Sequence, residues 1–215
     1  MTRPAFTHTA LTHATLVFVA VLLAAAGPAP VPPVPSSYTG PDRPAIPPTR
    51  DAVLGYRLQP GAGESIRARV SLQAGAKMLR LDLPDLTYML ATPATHSLVM
   101  VVPLERTTVD LPWSDGPQML FLLDDAARYT RKGDSTVAGQ RCTVFDVQQE
   151  ARQATVCVSP EGLVLRHQST DDTGRRNLVE AYAVQLGGTT DAEFKLPAGF
   201  ERLQPSLPPL LPGPR

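Results

Sequence analysis

Catalytic and metal-binding side chains are scarce in this 215-residue chain. It has two cysteines, Cys142 and Cys157, and four histidines, of which His8 and His13 sit in an N-terminal apolar region, leaving His96 and His167. No Cys-x-x-Cys or His-x-x-x-His pair occurs, so no metal site or cofactor is expected. No Gly-x-Ser-x-Gly turn occurs either. Gly61–Ser65 resembles one superficially, with its serine displaced to a strand start. Asp124 and Asp125, like Asp171 and Asp172, are neighbours in sequence only. The latter pair reads as a turn whose side chains bond the backbone. A hydrolase is therefore not expected, and the protein reads as no enzyme.

An excess of one charge is also missing. Twenty basic residues balance twenty acidic ones, and Arg131-Lys132 and Arg175-Arg176 read as solvated strand ends, so no nucleic-acid partner is expected. Long apolar runs are absent as well. The run Ala14–Ala26 follows Arg3 and is 13 residues long, short of the ~20 that span a bilayer. With small residues at Ala24 and Ala26, it reads as a secretory signal peptide cleaved between Ala26 and Gly27, the alternative being an uncleaved anchor. No cysteine follows it to take a lipid, and the mature chain is expected to carry no transmembrane segment.

Proline is plentiful but confined. Of 23 prolines, nine fall between Pro28 and Pro48 and five between Pro205 and Pro214. Proline fixes φ and offers no ladder donor, so residues 27–50 and 204–215 read as disordered linker and tail. As spacers they need no ligand; an aromatic-groove domain is the other reading. Residues 51–203 remain as a single β-rich domain.

Within it, alternation of period two dominates. Ile66, Ala68, Val70 and Leu72 share one face, while Arg67, Arg69, Ser71 and Gln73 share the other; Leu79, Leu81 and Leu83 repeat the pattern. Turn signals at Ala74–Ala76 and Pro84-Asp85 separate these runs from Leu86–Leu90. Further strands are predicted at 53–58, 96–103, 105–110, 128–132, 141–148, 153–159, 162–168 and 176–186. The fold class is mainly β: one curved antiparallel sheet rolled toward a barrel. Ser114–Ala127 breaks the rhythm. With Ser114 or Asp115 as cap and an early proline, it predicts a short helix whose Met119, Leu120, Leu122 and Leu123 lie against the concave face. A second helical turn is predicted at Asp191–Phe194.

The cysteines flank a predicted hairpin. If Gln149 and Glu150 form its loop, Cys142 and Cys157 fall directly opposite, about 4.5 to 5.5 Å apart at Cα, within the reach of a cross-strand disulfide. Export favours oxidation and disfavours a reactive thiolate. Glu180 is the polar residue most out of place, sharing its phase with Leu178, Tyr182, Val184 and Leu186. A partner such as Arg166, a bulge, or contact with a ligand would each account for it.

Four segments carry a resemblance: Gly75–Asp82 (Gly-Ala-Lys-Met-Leu-Arg-Leu-Asp), Val99–Pro103 (Val-Met-Val-Val-Pro), Val137–Asp146 (Val-Ala-Gly-Gln-Arg-Cys-Thr-Val-Phe-Asp) and Glu193–Phe200 (Glu-Phe-Lys-Leu-Pro-Ala-Gly-Phe). The chain resembles uncharacterised exported bacterial proteins similar to the periplasmic lipoprotein-carrier (Lol-type) superfamily. That resemblance implies an unclosed antiparallel β-barrel wrapped around a helical plug, with an apolar cavity for acyl chains. It transfers no functional residue. The proline tails and the lone convincing helix depart from the carriers.

Two functions follow as expectations. The first is a non-enzymatic periplasmic protein binding an apolar ligand, lipid or lipoprotein acyl chain, in a half-open barrel lined by Ile66, Val70, Leu79, Leu81, Met89 and Met100, with Glu180 as a further candidate contact. These side chains serve equally as plain core. The second is an interaction module that binds another envelope protein through its convex sheet or proline tails, with exposed edge strands in support, and without a small-molecule ligand. Independently of either, reducing a bridge that closes a loop of this length is expected to cost about 3 kcal/mol in the chain-entropy model. Urea unfolding with and without dithiothreitol measures that loss.

Overall fold

A computed structural model describes residues 40–149, 152–170 and 173–203; the predicted signal peptide, its cleavage site at Ala26 and Gly27, the Asp171-Asp172 turn and the 204–215 tail lie outside them. Twelve strands form one sheet: β1 (Ala52–Gln59), β2 (Ile66–Leu72), β3 (Leu79–Asp82), β4 (Tyr88–Thr92), β5 (Ser97–Val102), β6 (Thr107–Leu111), β7 (Arg128–Val137), β8 (Gln140–Gln149), β9 (Arg152–Val158), β10 (Val164–Thr170), β11 (Arg176–Leu186) and β12 (Glu201–Leu203). Their order is β12-β6-β5-β4-β3-β2-β1-β11-β10-β9-β8-β7, so the sheet stays open, with β12 and β7 as its edges. Every neighbour is antiparallel except β12, which joins β6 in parallel.

The alternation read from the sequence fixes the faces. Ala68, Val70 and Leu72 are buried with Leu54, Tyr56, Leu79 and Leu81 in the main core, while Arg67 and Arg69 are exposed. Tyr88, Leu90, Val99 and Val101 point the other way and form a second core under Phe194 and Phe200. Both faces of this part of the sheet are thus covered, which explains why β4 and β5 carry continuous apolar sequence. Pro93 and Pro103 each start a single 3-10 turn that ends on a left-handed residue, His96 or Arg106. The second turn displaces the start of β6 from the predicted 105 to Thr107.

The predicted helix at 114–127 is realised as two 3-10 turns, Trp113–Asp115 and Pro117–Leu120. Gly116 lies between them in extended conformation, and after the second turn a single i→i−4 bond, from Leu122 N–H to Gln118 O at 2.9 Å, follows without a regular helix. The segment still delivers an apolar plug. Phe121 is buried with its ring 4.8 Å from that of Tyr56, and Tyr56 Oη donates to Val164 O at 2.6 Å. Burial pushes the Tyr56 phenol well above its ordinary pKa, so the donor keeps its proton. Asp191–Phe194 forms the single helical turn expected there.

The disulfide is present, but its register differs from the predicted one. β8 and β9 pair out to Gln149↔Arg152, with the predicted loop residue Glu150 outside the described residues; Val144 faces Cys157, and Phe145 faces Val156. The shift is two residues, which moves every pair yet leaves each side chain on its own face. Cys142 lies one residue beyond the last β8–β9 pair, Thr143↔Val158, and bridges diagonally to Cys157 with Cα atoms 5.4 Å apart.

The stretch Gly40–Arg50, assigned to the linker by its prolines, packs on the sheet. Gly40, Pro44 and Pro48 are buried, Thr49 N–H donates to Glu161 O, and Pro48 O accepts from Gly75 N–H. Truncating the plug is expected to be the costliest single change: Phe121→Ala should lower unfolding free energy by about 3–5 kcal/mol, measured by urea titration.

Candidate functional site

Strands β7 to β11 occupy five consecutive places in the sheet, so β7 and β11 would lie about 19 Å apart if the sheet were flat, at ~4.8 Å per strand. They approach within 8 Å at Cα, so this part of the sheet is strongly rolled. An open groove of about 840 Å³ is lined by all five strands.

Strand register sets its chemistry. In one row Arg128 faces Gln148, which faces Gln153, and at the far side Thr170 faces Arg176. In the next row Thr130, Asp146, Thr155 and Gln168 follow one another across β7 to β10. The row below continues on the same face with Val144, Cys157, Arg166 and Glu180. Residues two apart on a strand share a face, so the disulfide and the ion pair Arg166–Glu180, at 3.5 Å, lie on the face that bears the groove's polar rows. Glu180 therefore has the cross-strand partner anticipated for it, beside a bulge in β10 between Val164 and Arg166.

Asp146 is the groove's carboxylate. Lys132 Nζ stands 3.2 Å from it, and Thr155 Oγ1 donates to it at 3.0 Å; these two bonds hold its pKa below the usual value. Arg128 and Arg176 make no ion pair among the described residues. With Asp146 neutralised by Lys132, the groove has a positive bias. No aromatic side chain lines it. Beside it, His167 faces Val156 and Val179, and burial lowers its pKa. Among the described residues no group of three metal-ligating His, Cys, Asp or Glu side chains converges.

The positions expected to line an apolar cavity are not brought into this groove. Val70, Leu79 and Leu81 are buried in the main core, exposed by at most 2%, with Met89 packed beside them. Met100 is half-buried opposite Met89, and Ile66 is 44% exposed at the start of β2. The groove residues escaped sequence reading although their strands were predicted. The available signal was the polar phase of β8 to β10, Asp146 and Gln148, Gln153 and Thr155, Gln168 and Thr170, whose convergence only appears once the register is known.

No protein-family model matches this sequence, and no curated protein does. Among solved structures, the chain is similar to an uncharacterised conserved protein from Thermus thermophilus, at 11% identity and a TM-score of 0.51, over 73% of this chain and 91% of that one. It is also similar to MucB, at 12% identity and a TM-score of 0.50, over 72% of this chain and 60% of that one. A LolA superfamily protein from Nitrosomonas europaea aligns over 72% of this chain and 94% of its own, at 9% identity and a TM-score of 0.40. The likeness is one of fold and carries no residue roles. Among the described residues no helix is long and apolar enough to cross a membrane.

The depressed Asp146 pKa has a definite sign. Its contribution to stability is complete above the ordinary aspartate value of 3.8 and is lost as pH falls through the lower folded value. Asp146→Asn is expected to make the urea midpoint fall less steeply below pH 4 than it does in the parent protein.

Proposed function

We propose that this protein is an exported, non-enzymatic binding module of the bacterial periplasm whose partner is a segment of another envelope protein. The state of the apolar positions carries this reading. Val70, Leu79 and Leu81 are filled against their neighbours, and Phe121 packs against Tyr56, whereas the open groove across β7 to β11 is lined mainly by polar side chains. Acyl chains gain affinity from apolar walls, while a polypeptide supplies the donors and acceptors that glutamine and threonine side chains satisfy. The N-terminal apolar segment and the disulfide both support an oxidising compartment. A lipid or lipoprotein acyl chain is the competing occupant, with exposed Ile66 and half-buried Met89 and Met100 as the positions left to it.

Cross-linking in intact cells, paired with lipid mass spectrometry of the purified protein, separates the two. One dominant protein adduct with no bound lipid is expected. A stoichiometric lipid that a fluorescent fatty acid displaces would overturn the reading.

A further inference from the structure

Two arginines that make no ion pair among the described residues stand at opposite sides of one polar row of the groove. Arg128 enters from β7 and Arg176 from β11, with Gln148 and Gln153 between them on β8 and β9. We propose that this row binds an extended acidic peptide, its carboxylates held by Arg128 and Arg176 and its main chain by the glutamine amides. The proposal rests on the reading of the protein as a module for a protein partner and names that partner's chemistry.

Three observations point there. First, the charge is complementary: both arginines lack an ion pair among the described residues, and the one lining carboxylate, Asp146, is already matched by Lys132. Guanidinium groups pair with carboxylates through two parallel hydrogen bonds, stronger than neutral ones. Second, the polar lining is continuous along the row. From Arg128 to Arg176 it passes Gln148, Gln153 and Thr170 on neighbouring strands about 4.8 Å apart, so donors and acceptors follow one another along the path of the peptide. Third, each glutamine amide both donates and accepts, as a peptide group requires. Sugar rings are bound largely by stacking on aromatic faces, and this groove offers none.

The probe is a fluorescein-labelled hexapeptide of alternating glutamate and alanine, titrated into the oxidised protein and followed by anisotropy. Its counterpart with glutamine in place of glutamate is the control. The acidic peptide is expected to bind, and the control to bind at least about tenfold more weakly. Arg128→Gln and Arg176→Gln should each weaken binding about tenfold, and together about a hundredfold, since they lie on separate strands. Both side chains are exposed, so near-UV circular dichroism should be unchanged in the variants. In two-dimensional NMR the side-chain amides of Gln148 and Gln153 should shift on titration.

Equal binding of the two peptides, no binding of either, or unchanged binding by the double variant overturns the proposal. So does displacement of the peptide by inorganic phosphate at matched concentration, which would mark a simple anion site. If the cellular adduct survives in the Arg128→Gln/Arg176→Gln protein while peptide binding fails, only the groove assignment falls. Loss of both adduct and peptide binding supports it.

Discussion

An open sheet has two faces and two edges to protect, and the architecture of this protein follows from that constraint. A closed barrel would hide one face and leave no edge. Here three connecting segments do that work with hardly any regular helix. Phe121 seals the main core over Tyr56, Phe194 and Phe200 seal the opposite face of β4 and β5, and Gly40–Arg50 lies along the turn between β9 and β10. Each inserts a few large or rigid side chains in place of a helix face. Such segments resist helix formation for identifiable reasons, Gly116 in one and closely spaced prolines in another.

That arrangement shapes the chemistry left open. Val70, Leu79 and Leu81 are buried in the core, whereas rolling β7 to β11 leaves a recess lined mainly by polar side chains. The disulfide belongs to both regions. Cys142 and Cys157 are buried members of the main core, yet both lie on the face that bears the polar rows. The covalent link therefore ties the strand that carries Gln148 to the one that carries Gln153.

Strands were legible because most of them bury one face more than the other, so Val70 and Leu72 stand out against Arg67 and Arg69. The sequence could not separate an α-helix from two 3-10 turns at 113–120, since the apolar residues fall close together either way and the extended Gly116 between the turns leaves no mark in that pattern. It placed the cysteines on one face but not in register, because a shift of two residues preserves every inside and outside assignment. β12 carried no signal at all: three residues, all exposed, held by pairing with β6 and by the Arg202–Asp110 ion pair at 2.7 Å. The groove was hidden for a related reason. Its residues come from five strands spread over Arg128 to Arg176, and polarity in a single strand reads only as a wet side.

The parallel pairing of β12 sets an order on assembly. Thr107 to Val109 find their outer neighbours in Glu201 to Leu203, more than ninety residues further along the chain. During synthesis β6 is complete long before those residues exist, so its outer edge stays unpaired until the C-terminal part of the domain arrives. A chain cut short before Glu201 would keep that edge bare, leaving the outward-facing amides and carbonyls of Thr107 to Val109 open to an extended neighbour. The last short strand thus covers, with only three residues, an edge that would otherwise accept strand addition.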